Sequence, residues 1–456
     1  MAMRDWKKKG CLEERLRDHK SSVIHRISAD SAEKKSFYRF INNPKVTEEC
    51  LEKQLYEQCQ SRIADKCLAV YSDTCVVGLQ NHKNRIKDLA GLSRVSMNGK
   101  GRSYGLKIHT GIVEIEGENE IAGVCHNKIM QEEELTERER GVKQSRARKP
   151  YEGRQSYRWY ESCASSYQLL EQAAHITFVM DREADVIDLM DRLIFPKSNF
   201  IIRVNHNRFI ETQSGERVKV FEHLKTVVAK GGMQIKVEGN CRKPRIAKLE
   251  IRYEKITIPW GVRKITNFRN HPQGVPVTVI EVKEVKHAGY PEEPPLVWRL
   301  YQRADINEIK EAKKSITLYK KRWKVEEYFK LMKTDGYNIE GTELTSGKAI
   351  RKLLLLIMKA SIKVQNLKAS RDGKNNMKIS EYFDEEEVKC LVKINKKVEG
   401  GTKKQQNPYP KEHLAYATWV IARLGGWKGF YQKDRPPGTK TLINGLEKFT
   451  TIFEYI

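Results

Sequence analysis

Two apolar runs in this chain each stop at an aspartate, and that repetition narrows the fold more than any other feature. Cys67-Leu68-Ala69-Val70-Tyr71-Ser72 ends in Asp73, and Ile176-Thr177-Phe178-Val179-Met180 ends in Asp181. Short apolar runs bounded by polar turn signals read as buried strands. Tyr104–Glu116, Ile121–Ile129 and Asn199–Val204 carry further strand patterns, with helical patterns over Tyr157–Ala174 and from Asp185 to Leu193. Strands and helices that alternate in this way predict an α/β core. In open α/β sheets ligands bind beyond the carboxyl ends of the strands, where both aspartates are expected. Asp181 has an alternative reading as a helix N-cap and Asp185 as a first-turn acid favoured by the helix dipole. Asp73 has one as a turn residue.

From about 212 to 300 the pattern becomes short β segments, clearest at Gln234–Glu238, Ala247–Ile258 and Val275–Val282, which predicts a β-rich insertion. Residues 1–62 and 337–456 read as helical, the latter through Ala349–Leu367 and His413–Leu424 with a polar stretch between them. The expected domains are therefore 1–62, 63–336 and 337–456, in keeping with a length of 456 residues. Residues 131–156 are densely charged and read as a solvated loop or helix edge.

Lys and Arg total 85 against 59 Asp and Glu, a formal charge of +26, which suits a polyanionic partner, nucleic acid above all. The longest apolar run, Leu353–Met358, has six residues, far short of a membrane span. No secretory signal is expected at the amino terminus, where basic residues are not followed by an apolar stretch. Nine cysteines without a Cys-x-x-Cys pair, and eleven histidines without ligand spacing, indicate reduced thiols in a cytoplasm and no zinc module.

Downstream, Leu318–Lys333 reads as one amphipathic helix. At 100° per residue, Tyr319, Arg322, Glu326 and Lys333 fall within an arc of about 60°. A carboxylate flanked by phosphate-binding donors suits metal-assisted phosphodiester chemistry; a solvated charged face is the plainer alternative. Asp73, Asp181 and Glu326 are thus candidates for one metal site. Magnesium, with manganese as a substitute, accepts one or two carboxylates per ion together with water and phosphate oxygens.

Taken together, these motifs resemble the bacterial cut-and-paste transposases of the insertion-sequence-four group. The resemblance rests on Asp181-Arg182-Glu183-Ala184-Asp185 after its strand and on Tyr319, Arg322, Glu326 and Lys333 at the spacing of that family's signature. Tyr38-Arg39-Phe40-Ile41 with Asn43-Pro44, Ser72-Asp73-Thr74, Phe200–Arg203, Trp298 and Ile421–Gly426 follow in family order. It implies an RNase H-like catalytic core with the acids Asp73, Asp181 and Glu326, interrupted by the β-rich insertion. Trp298 becomes a platform for a flipped base, where a core aromatic is the alternative. Arg203, Tyr319, Arg322, Lys330 and Lys333 become DNA contacts.

The implied partners are double-stranded DNA, as transposon ends and target, and a second copy in a paired-end complex joined by the carboxyl-terminal helices. A nucleoid-associated place in a bacterial cytoplasm follows. The implied chemistry is cleavage, hairpin formation and strand transfer. Only 37 residues precede Tyr38, where the family usually has a longer end-recognition region. Two rivals remain: an RNase H-like nuclease without strand transfer, and a non-catalytic DNA-binding inhibitor derived from a transposase. The basic run Lys143, Arg146, Arg148, Lys149, Arg154 is a further DNA-backbone candidate.

Overall fold

The structure, a computed structural model, describes residues 12–19, 21–79, 85–96, 102–130, 150–237, 242–261, 269–285, 293–429 and 436–454. Helices α1 (Leu12–Asp18), α2 (Ile24–Ile27), α3 (Ser31–Asn42) and α4 (Glu48–Gln60) precede strands β1 (Cys67–Gly78), β2 (Ser93–Ser96), β3 (Arg102–Ile115) and β4 (Glu120–Met130). Then come α5 (Tyr157–Leu169), β5 (His175–Met180), α6 (Ile187–Arg192) and β6 (Ser198–Arg203). The β-rich stretch comprises β7 (Phe209–Glu211), β8 (Arg217–Lys219), α7 (Val220–Thr226), β9 (Gly231–Val237), β10 (Arg245–Ile258), β11 (Val275–Glu284) and β12 (Val297–Gln302). Helices α8 (Ile309–Lys321), α9 (Trp323–Met332), α10 (Gly347–Ser370), α11 (Glu385–Val398), α12 (Leu414–Leu424) and α13 (Thr439–Glu454) complete the chain.

Two compact units result. A sheet unit takes Cys67–Asp73 and Leu135–Lys324; a helix-rich unit takes Met1–Lys66, Thr74–Glu134 and Val325–Ile456. In the sheet unit β1 pairs in parallel with β5 from Cys67↔His175 to Tyr71↔Val179, and β5 pairs in parallel with β6. The connection from β5 to β6 runs through α6, as a parallel pair requires. Strands β12, β11 and β10 extend this sheet in antiparallel register beyond β6, and β9 and β7 both pair with β10. Val179, Met180, Ile201 and Ile202 are fully buried, because parallel strands covered on both faces bury both sets of alternating side chains.

In the helix-rich unit β3 pairs antiparallel with β4 through Lys107–Ile115 and with β2 through Arg102–Gly105. The end of β1 joins them: Leu79 N donates to Tyr104 O at 2.9 Å, and Thr74 Oγ1 lies 2.9 Å from His109 Nδ1. Helix α10, 24 residues long, contacts α1, α3, α4, α12, α13 and β4. Its Ile350, Leu353, Leu354, Ile357 and Met358, whose helical spacing reads either as a dimer contact or as the seat of the helix in its own domain, are buried within this unit.

Other expectations change as well. β1 does not stop at Asp73 but continues through Gly78, so that aspartate lies within a strand. The single helix expected over Leu318–Lys333 is two. Arg322 keeps helical dihedrals (φ −53°, ψ −28°), but its N–H bonds Tyr319 O, three residues back, and α9 starts anew at Trp323. The polar stretch after α10 contains α11, which Asp384 and Glu387 start with a reciprocal capping box that composition alone does not weigh. Of the expected 131–156 loop, residues 131–149 lie outside the described residues, with Lys143, Arg146, Arg148 and Lys149 among them. Arg154 pairs with Asp188 at 3.3 Å.

His126 on β4 is buried, edge-on to His109 with ring centroids 5.9 Å apart, and burial with the nearby Lys128 charge pushes its pKa down to about 4. An unfolded histidine titrates near 6.5, so the unfolded chain takes up more protons between pH 6.5 and 4, and stability falls as pH is lowered through that window. The contribution is worth about 3 kcal/mol. His126→Gln should therefore show a smaller drop in urea midpoint between pH 7 and pH 4.5 than the wild type. Equal drops in both proteins would remove His126 from the acid response.

Candidate active site

Asp73 and Asp181 come together through strand register. Tyr71 faces Val179 in the parallel β1–β5 pair, and two residues further on each strand leads to its aspartate. Neighbouring strands lie about 4.8 Å apart, so side chains at matched positions interact. Burial and the negative charge of Asp73 both raise the pKa of Asp181; the Glu183 N–H and the Arg322 charge work in the opposite direction. Asp181 Oδ1 accepts from Glu183 N at 2.8 Å, so the capping reading holds. It occupies one oxygen of a group that has two. Asp73 Oδ2 accepts from Arg322 Nη1 at 2.9 Å, both side chains being less than one-fifth exposed.

Beside this pair the sheet unit assembles an aromatic and cationic corner. Arg203, at the end of β6, is buried and donates from Nη2 to Val297 O at 2.7 Å. Its guanidinium stands 5.7 Å from the centre of the Tyr319 ring, and burial pushes its pKa down to about 10, against the stabilising Tyr319. It remains charged at neutral pH. Trp298 on β12 meets the same Tyr319 edge-on, centroids 5.9 Å apart, and is half-buried.

Glu326 and Lys333 belong to the helix-rich unit. Glu326 is half-exposed on α9, whose Val325, Tyr328, Phe329 and Met332 are buried. Tyr328 Oη donates to Met358 O at 2.6 Å, which fixes α9 on α10. Lys330 is exposed on the same helix. Lys333 lies past the helix end; its Nζ donates to Val76 O at 2.8 Å and pairs with Glu340 at 3.0 Å. Glu340 in turn accepts from Gly78 N at 2.9 Å. Lys333 thus ties the end of β1 to the turn after α9 and is not a freely swinging ammonium.

The stretch containing β5, Asp181, the insertion, Arg322 and Glu326 can be compared with known proteins. Residues 166–362 match the family model described as the transposase DDE domain. The match supports a DDE transposase family. DDE transposases as a family use divalent metal ions on an RNase H-like core, and the matched stretch spans residues 166–362 of the 456. Among the described residues no helix is long and apolar enough to cross a membrane.

The donor set around Asp73 and Asp181 fits a hard divalent cation. Two neighbouring carboxylates, one with its pKa raised by burial and by the charge of the other, are ligands that such an ion stabilises. Among the described residues no group of three or more His, Cys, Asp or Glu side chains stands in metal-binding geometry.

Asp185 has a role that its sequence position hid. It sits beyond the first helical turn expected for it, just after a 3-10 turn over Arg182–Ala184, with its side chain fully buried. Its carboxylate accepts from Asn205 N at 2.7 Å, His206 N at 2.9 Å and Arg208 Nη2 at 2.7 Å. It therefore clamps the chain leaving β6 against the turn that carries Asp181. No local motif announces this, because the partners lie about twenty residues away. Asp185→Ala strands three donors and should destabilise the protein by about 3 kcal/mol, read as a lower urea midpoint. A change below about 1 kcal/mol would show that the clamp is dispensable.

Proposed function

We propose that the chain is a cut-and-paste DNA transposase of the bacterial insertion-sequence-four group, working on transposon ends and target DNA. The observation that carries this reading is the carboxylate pair Asp73 and Asp181 on adjacent parallel strands, countered by Arg322, in a chain whose residues 166–362 match the transposase DDE domain. Glu326 would complete the set of acids, and the three would hold Mg²⁺, with Mn²⁺ as a substitute. Such ions would supply charge stabilisation for an in-line displacement at phosphorus.

Arg322 neutralises Asp73 and offers remaining guanidinium donors to a phosphate. Tyr319, Arg203, Lys330 and Lys333 set the electrostatics of the DNA path. Cleavage frees a 3′-hydroxyl, which attacks the opposite strand to form a hairpin; water reopens it, and the released end attacks target DNA. Trp298, half-buried against Tyr319, receives the base that leaves the duplex in the hairpin. The active species is a dimer on two paired ends. The helices of residues 337–456 join the two copies. The protein acts in the cytoplasm at the nucleoid.

Asp73→Asn, Asp181→Asn and Glu326→Gln should each lower nicking of an end-sequence duplex in Mg²⁺ by at least about 1,000-fold, roughly 4 kcal/mol in the barrier, with duplex binding retained. Near-wild-type nicking by any one of them would remove that residue from the site. Nicking without joined products would instead leave a nuclease.

Trp298→Ala should slow hairpin formation more than first-strand nicking, by about 10-fold or more, since stacking on an extruded base contributes about 1–3 kcal/mol. Trp298→Phe should recover much of that rate. Equal losses at both steps would mark Trp298 as packing.

A further inference from the structure

The carboxyl-terminal half of α11 and the loop after it concentrate positive charge outside the segment that matches the transposase DDE domain. Lys393, Lys396, Lys397, Lys403 and Lys404 are all exposed, and none forms an ion pair among the described residues. Lys393, Lys396 and Lys397 are spaced i, i+3, i+4, so they share one helix face within an arc of about 100°. The acids of this helix lie at its other end and are matched there. Lys389 pairs with Glu385 at 2.9 Å and Glu386 at 2.8 Å, while Glu387 faces Lys363 at 4.0 Å.

Between Val388 and Lys411 the one acid is Glu399, and it is turned to a structural task. Its Oε1 accepts from Asn395 Nδ2 at 2.7 Å and from Asn407 N at 2.9 Å. These bonds, with Gly400 N to Gln405 O at 3.2 Å, fold the loop back on the helix end. A reciprocal Thr402–Gln405 capping box fixes the 3-10 turn that holds Lys403 and Lys404. Interaction with the helix dipole accounts for Lys396 and Lys397 in the last turn. It does not account for Lys393, or for two lysines beyond the helix.

We propose that this lysine surface binds the sugar-phosphate backbone of duplex DNA without regard to sequence. The inference rests on the transposase reading for the nature of its partner. Ammonium groups on a folded-back loop and a single helix face meet a polyanion and displace its counterions, and point charges of this kind contact phosphates rather than base edges.

The test is the salt dependence of binding to a random-sequence 30-base-pair duplex, followed by fluorescence anisotropy. Lys393→Gln, Lys396→Gln, Lys397→Gln, Lys403→Gln and Lys404→Gln combined should flatten the slope of log affinity against log salt by about 2 to 4, since each lost phosphate contact removes about 0.9. A control with exposed Lys53, Lys310 and Lys374 changed to Gln should shift the slope by less than about 1. Nicking at saturating short end duplex should stay within about twofold of wild type, because none of the five lysines belongs to the proposed catalytic set. An unchanged slope in the five-lysine variant, with tight salt-dependent binding by the wild type, overturns this inference and leaves the transposase reading intact. A control variant that flattens the slope equally overturns it too, because net charge is then responsible. Wild-type protein that binds no duplex at low salt overturns both.

Discussion

Two carboxylates on adjacent parallel strands repel each other, and the chemistry of the sheet unit is organised around that repulsion. Asp73 and Asp181 reach matched positions because β1 and β5 run in the same direction with a fixed register. Two like charges roughly 5 Å apart at an effective dielectric near 20 cost about 3 kcal/mol. The structure meets part of this cost with Arg322 on Asp73 and with the Glu183 N–H on Asp181. Burial, and after it this repulsion, raises the pKa of Asp181. A site left in this condition favours a divalent cation, and a cation there favours phosphate oxygens in turn.

The same logic governs the corner formed by Arg203, Tyr319 and Trp298. A buried guanidinium keeps its charge only where carbonyls and π-faces replace water, and Arg203 has Val297 O and the Tyr319 ring. That arrangement holds Tyr319 from one side, while Trp298 packs against it edge-on and stays half-exposed. A rigid, partly open aromatic surface is what an extruded base can stack on. Asp185 contributes at a distance, since its three accepted hydrogen bonds fix the chain segment that follows β6. Strand register, a buried cation and a buried acid thus cooperate over one end of the sheet unit.

Much of this was legible in the chain. The strand ending at Met180, the pattern of β10 and β11, and the helix of α10 follow from apolar periodicity, which reports burial directly. Asp181 was identifiable because a charged residue ending an apolar run has few structural uses. Asp73 was singled out as the end of an apolar run, with a turn residue as the alternative, but Val76 and Val77 continue β1 past it. Helix α11 was missed because a stretch rich in Lys and Glu resembles a solvated loop until its capping box and single buried face are considered together. The α10 stripe was identified correctly as apolar, but a periodic stripe does not name the surface it meets.

The sequence by itself determined the residue chemistry, since the acids, the basic excess and the strand and helix periods are local properties of the chain. Only the tertiary structure decided which groups oppose which. Arg322 meets Asp73 across 249 positions, Lys333 reaches Val76 across 257, and Asp185 clamps Arg208 across 23. Ion pairs and hydrogen bonds act over a few ångströms of space and are indifferent to separation along the chain. Partners of that kind therefore become visible only once strand register and helix packing have brought them together.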